Sequence, residues 1–261
     1  MAEREWWANW FGAGRASGEK PASPGGVARA MLLKRGFITE LRFDEGTGQS
    51  RMLRFAPDRL LVPYTRTMLA ALLLVPAPAR IGMVGLGGGS QLKFLQRHLP
   101  KACIEVFEND ASVLALRSVF RVPDDGPTLA VHHADAAALL PKRVAAYDLL
   151  LVDGYDAGGI PAALSTQRFY SDCRASLRPG GAMASNWYDT DHAAHAHRLA
   201  IAFGAGHTAV LQQSEQSNRV AFGWVPPAGR AHDAMALSRK GQRALATEFA
   251  RLRERLGGAD A

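Results

Sequence analysis

Apolar and polar positions change rhythm along the chain, and each change marks a new kind of structure. Residues 1–30, "MAEREWWANWFGAGRASGEKPASPGGVARA", have no apolar period and are rich in Gly, Ala, Pro and Ser, so they are expected to form a flexible tail. From Gly36 to Phe55, "GFITELRFDEGTGQSRMLRF" gives two alternating runs around an Asp-Glu-Gly-Thr-Gly turn, the pattern of a β-hairpin. The run "PYTRTMLAALLLV" is a helix opened by Pro63 and ended before "PAPAR", which completes an N-terminal region over 31–78. From Arg80 short apolar runs alternate with helical stretches. Strands are expected at 80–84, 103–107, 128–132 and 147–152, with helices after the first two at least. "SLRPGGAMASNWY" adds a helix end, a Pro-Gly-Gly turn and a fifth strand, and "GHTAVLQQ" with "RVAFGWV" would close the sheet as an antiparallel pair. Such alternation makes an α/β fold, a doubly wound, mostly parallel sheet with helices on both faces, here over 79–228.

Composition changes this picture little. With 261 residues, 48% of them hydrophobic, the chain can bury one sizeable core. No apolar run is long enough to cross a bilayer, and the Trp-bearing start lacks the apolar stretch of a secretory signal. Two cysteines, Cys103 and Cys173, stand in unrelated contexts, which fits a reduced cytoplasmic protein better than a disulfide framework or a zinc site. The net charge of +7 permits contact with nucleic acid, but much of the excess falls in "SRKGQRALATEFARLRERL". Within 229–261 that stretch reads as an amphipathic basic helix with a solvated face, and no nucleic-acid motif accompanies it.

Candidate chemistry begins at "RIGMVGLGGGSQ", residues 80–91. Gly85, Gly87 and Gly88 lie in the first strand-to-helix turn, nearly in G-x-G-x-x-G spacing, with Ser90 in the last place. Glycines let main chain approach a ligand closely, and the following helix offers unpaired N–H groups. Glu108 ends the second strand, where a carboxylate can accept from ribose hydroxyls, and Asp135 follows the third, where an acid can accept from an adenine amino group. Asp153 and Asp156 come just past the fourth strand. Ligands in open parallel sheets sit outside the carboxyl ends of the strands, so four acids are expected on one rim. An acidic rim without Lys or Arg in its loops suits a nucleoside better than a phosphate-rich dinucleotide.

At these residues the sequence resembles the spermidine synthase family of aminopropyltransferases. The resemblance runs from about Gly36 to Val225 and rests on "VPYTRTM", "GLGGGS", "FEND", "HADA" and "DGYDAGGIPAALSTQRFYSDCRASLRPGG" in that order. It implies the Rossmann-like fold of adenosylmethionine-dependent methyltransferases. It also implies aminopropyl transfer from decarboxylated S-adenosylmethionine to a polyamine such as putrescine, with no tightly bound cofactor and no metal. By the same resemblance Glu108 would hold the donor's ribose and Asp135 its adenine. Asp153 would take the proton of the attacking amine, Asp156 would anchor a cationic acceptor, and Tyr64 would border the acceptor pocket. A homodimer is implied as well.

The family's glycine loop commonly carries an aspartate that pairs with the donor's aminopropyl amine, and in this chain that place falls on Gly88. Asn186 stands where the family often has glutamine, and "QQSEQSN" where it has a tyrosine. A methyltransferase using S-adenosylmethionine and a non-catalytic nucleoside-binding module are the alternatives of the same fold. Elsewhere, His192 and His195 in "DTDHAAHAHRL" would share a helix face at a spacing a metal could use, but a solvated face with Asp191 as N-cap is the expected reading. "MLAALLLV" is expected to be core or a subunit contact.

Overall fold

The computed structural model describes residues 31–42, 48–156, 159–213, 218–227 and 235–257. The expected tail over 1–30 and most of the hairpin turn lie outside them. β1 (Met31–Arg35), β2 (Ile38–Arg42) and β3 (Gly48–Leu53) form an antiparallel sheet in that order. The expected hairpin is the β2–β3 pair, and β1 is an addition, because its sequence "MLLKR" has no alternation to reveal it. α1 (Pro63–Leu69) follows and tightens into a 3-10 turn over Ala70–Leu73. Met68 to Leu72 are fully buried within the chain, so this run is core. Cutting one such leucine to alanine costs about 2–5 kcal/mol.

The main sheet has seven strands in the order β6-β5-β4-β7-β8-β10-β9. β4 (Arg80–Val84), β5 (Cys103–Glu108), β6 (Leu129–His133), β7 (Tyr147–Val152) and β8 (Leu177–Trp187) run parallel. β9 (Thr208–Gln212) and β10 (Arg219–Trp224) complete it antiparallel, with β10 rather than β9 against β8. Strands buried on both faces must be apolar at consecutive positions. Ile81, Met83, Leu149 and Leu151 accordingly enter one core layer, while Val84, Phe107, Leu150 and Val152 enter the other. The expected Pro-Gly-Gly turn proves to be part of β8, which carries a register shift against β7 there and bends at Gly180.

Four helices follow the parallel strands: α2 (Ser90–His98), α3 (Ala111–Leu114), α4 (Ala136–Leu139) and α5 (Gln167–Ser176). α6 (His192–Phe203) starts where Asp191 accepts from the Ala194 N–H, the expected cap. His195 departs from the solvated reading. It is buried, its Nδ1 lies 2.7 Å from the Tyr170 hydroxyl, and its ring packs on Trp187. Among the described residues no cluster of three metal-ligating side chains occurs. The basic C-terminal stretch is two helices, α7 (Arg239–Ala244) and α8 (Ala246–Gly257), rather than one. α8 also does more than face solvent, since buried Glu248 accepts from Thr67 Oγ1 at 2.9 Å and so braces α1. No helix among the described residues is long and apolar enough to cross a membrane. Both cysteines are free.

Candidate active site

The strand order reverses between β4 and β7: β5 and β6 continue to one side of β4, β7 and β8 to the other. Loops leaving neighbouring strands at such a point diverge and open a crevice. The cleft found there is lined by Tyr64, Gly85, Gly87, Glu108, Asp135 and Asp153 of the expected site residues. Gly88 and Asp156 do not line it.

Each part of the rim has a local cause. Gly85 adopts a left-handed φ of 88°, and a Cβ there would lie 2.3 Å from the Asp153 carbonyl oxygen, so two main chains touch where a side chain cannot fit. The Glu108 carboxylate, 7% exposed, accepts from the Leu86 N–H at 2.8 Å and the Asp110 N–H at 2.9 Å. It therefore clamps the glycine turn from behind while facing the cleft, with acceptor capacity left for a ligand. Asp135 caps α4 by accepting from the Ala137 N–H at 2.8 Å, and its exposed side chain also lines the cleft. Capping and lining are compatible uses of one carboxylate.

Gly88 is crowded. A Cβ there would sit 2.6 Å from Ser50 Oγ and 2.8 Å from the Phe120 ring, because β3 lies directly over the turn. No carboxylate-bearing side chain fits at this place without moving both neighbours. Lys93 supplies the cation under the turn instead. Its buried Nζ donates to the Gly88 carbonyl at 2.8 Å and the Phe120 carbonyl at 2.6 Å, and burial lowers its pKa to about 8. The sequence hid this role, since a lysine inside an amphipathic helix reads as solvated.

On the opposite wall stands a short polar network. Asp153, directly after β7, accepts from Asn186 Nδ2 at 2.9 Å and from the Tyr64 hydroxyl. Burial outweighs both hydrogen bonds and raises its pKa to about 6. Tyr64 in turn is pushed well above the phenol range, by burial first and then by the Asp153 charge. Tyr155 donates to the Asn186 carbonyl at 3.0 Å and accepts from the Tyr188 N–H at 2.6 Å, which fixes the loop after β7 to the end of β8. Asp156 lies beyond this wall, exposed, in a turn whose main chain bonds to Gly159. Ser50, Gln91 and Tyr155 also line the cleft and were not singled out from sequence. Ser50 reaches it from another sheet, so no local motif announces it.

The arrangement offers an acidic, main-chain-lined cradle and a carboxylate that is ionised at neutral pH and can take a proton. No family model matches the chain. Among curated proteins, the polyamine aminopropyltransferase of Chromobacterium violaceum is 34% identical over 161 residues, which is 61% of this chain and 62% of that protein. The matched stretch thus covers about three fifths of this relative's length. Among solved structures, a probable spermidine synthase from Corynebacterium glutamicum superposes with a TM-score of 0.67 at 18% identity, covering 84% of this chain and 82% of that one. Human methyltransferase-like protein 13, in complex with SAH, gives 0.56 at 25% identity, covering 73% and 91%. By sequence the chain is similar to curated polyamine aminopropyltransferases, and its fold is that of solved spermidine synthases and methyltransferases.

Proposed function

We propose that this protein transfers an aminopropyl group from decarboxylated S-adenosylmethionine to a polyamine acceptor such as putrescine. One observation carries the reading: Asp153, held by Tyr64 and Asn186, faces the same cleft as Glu108 and Asp135. A proton acceptor thereby shares a chamber with the two acids suited to a nucleoside. Residues 79–228 would be the catalytic unit and 31–78 its cover.

In the proposed step, the acceptor nitrogen attacks the carbon next to the sulfonium. A C–N bond forms, the C–S bond breaks, and its electron pair stays on sulfur as the neutral thioether of methylthioadenosine. The positive charge passes to nitrogen as an ammonium, whose proton goes to Asp153 and then to solvent. Sulfur needs no protonation to leave, so the protein's tasks are in-line alignment and acceptance of that proton. Glu108 would hold the ribose, Asp135 the adenine, and Gly85, Gly87 and Gly88 the main-chain approach. Tyr64 would border the acceptor and Asp156 would attract its distal ammonium from the mouth.

The second reading is methyl transfer from ordinary S-adenosylmethionine. It is favoured by the crowding at Gly88, which leaves no room for a carboxylate to pair with an aminopropyl amine, and by the likeness to the human methyltransferase-like protein. Incubating the protein with each donor and putrescine, then identifying products by mass spectrometry, separates the two. Aminopropylated amine with methylthioadenosine supports the first reading, and a methylated product with S-adenosylhomocysteine the second. Thermal stabilisation by methylthioadenosine without turnover would leave a nucleoside-binding module. A homodimer and a cytoplasmic location, the latter in keeping with the free cysteines, belong to the same proposal.

A further inference from the structure

Asp153 does not stand at the end of its network. Asn186 Nδ2 donates to Asp153 Oδ1 at 2.9 Å, and Asn218 Nδ2 donates to Asn186 Oδ1 at 2.9 Å. The three residues stand on adjacent strands: Asp153 just past β7, Asn186 near the end of β8, and Asn218 just before β10. Val152 is in register with Ser185, and Asn186 with Val220, so the side chains form a row across the sheet rim. Both asparagines are buried, at 4% and 2% exposure. The Oδ1 of Asn218 is enclosed and accepts no hydrogen bond among the described residues.

An asparagine amide can present either its NH₂ or its oxygen to a neighbour at almost the same volume. Beside a carboxylate the difference is large, since NH₂ favours the ionised acid and oxygen opposes it. The ionised Asp153, which only accepts, favours the NH₂, and whatever stands on the far side of Asn186 reinforces or opposes that choice. The donor group of Asn218 occupies the far side of Asn186 and can be satisfied only by an oxygen there, which turns the NH₂ of Asn186 toward Asp153.

We propose that Asn218 is a positioning residue that acts through Asn186 to keep the Asp153 carboxylate oriented and available as the proton acceptor. The inference rests on the base role given to Asp153 above, but the row can be tested without turnover. Other groups facing Asp153 are Tyr64 from α1 and Tyr155 from its own loop, with Glu108 and Asp135 across the cleft. None of these is altered by a change at 218.

The experiment is a carbon-detected NMR titration of the Asp153 carboxyl in full-length protein labelled at aspartate, assigned with Asp153→Asn. In Asn218→Leu, removal of the terminal donor frees the Asn186 amide to turn, and the Asp153 midpoint should rise by about one pH unit. Asn186→Leu should raise it at least as far, and the double variant no further than Asn186→Leu alone, because the effect of Asn218 runs through Asn186. If Asn218→Leu does not fold, Asn218→Ala is titrated in its place with the same expectation. An unchanged midpoint in a folded variant, or shifts that add in the double variant, would overturn the proposal. Where aminopropyl transfer is observed, the acid limb of the turnover profile should move with the midpoint, with the donor KM within twofold of the unaltered protein. Absence of transfer with the NMR shift intact would instead count against the proposed function.

Discussion

The two walls of the cleft are built by different means. The wall formed by the glycine turn, Glu108 and Asp135 is main chain and helix or loop caps, in which each acid already serves a local backbone group. The wall formed by Tyr64, Asp153 and Asn186 is a side-chain network drawn from α1, the loop after β7 and β8. The first resembles a binding surface that persists with small changes of chemistry. The second fixes the protonation and direction of one carboxylate, which is the demand of a reaction rather than of binding.

Substitutions should therefore separate the walls. The largest effect is expected for Asp153→Asn, which removes the proposed proton acceptor while keeping its shape. Turnover should fall about 10³-fold, with nucleoside affinity by calorimetry nearly unchanged. The same variant should melt higher than the unaltered protein at neutral pH, because burial makes the ionised Asp153 unfavourable in the fold. A large loss of nucleoside binding in this variant would merge the two walls into one.

Glu108→Ala attacks the other wall. It removes a ligand acceptor and leaves the Leu86 and Asp110 N–H groups without their partner, so methylthioadenosine binding should weaken about 30–100-fold. The Asp153 titration should stay in place. Next in size is pH. With its pKa raised to about 6, Asp153 is mostly protonated at pH 5 and mostly ionised at pH 7, so turnover at saturating donor should rise about tenfold across that interval. Binding of methylthioadenosine, which needs no ionised Asp153, should be nearly flat over the same range. The smallest effect is expected at Asp156. Exposed and outside the cleft wall, it would act on the proposed acceptor only through screened attraction. Asp156→Asn should raise the acceptor KM about two- to threefold and leave kcat alone, and a kcat loss approaching that of Asp153→Asn would show that the loop closes over the reaction.

Much of this molecule could be read from residue order. Short apolar runs mark the first four parallel strands to within a residue, whereas β8 begins before the expected Pro-Gly-Gly turn. The glycine-rich turn and the acids after successive strands were visible because the fold puts every such position on one rim. The closing pair was visible too, though which member touches β8 was not. β1 and the division of the C-terminal stretch into two helices left no periodic trace. His195 reads as solvated from its place at a helix start with no third ligand nearby, and only the packing of α6 on Trp187 and Tyr170 turns it inward.

Order along the chain thus placed Gly85, Gly87, Glu108, Asp135 and Asp153 at the rim, but neither excluded Asp156 nor announced Ser50. Their neighbours were decided by tertiary structure. Ser50 shuts the space beside Gly88 from a different sheet, Lys93 turns under the glycine loop, and Asn218 meets Asn186 from the neighbouring strand, 32 residues on in sequence. Such encounters depend on sheet order and on how layers stack, whereas local periodicity records only which face of its own element a residue occupies.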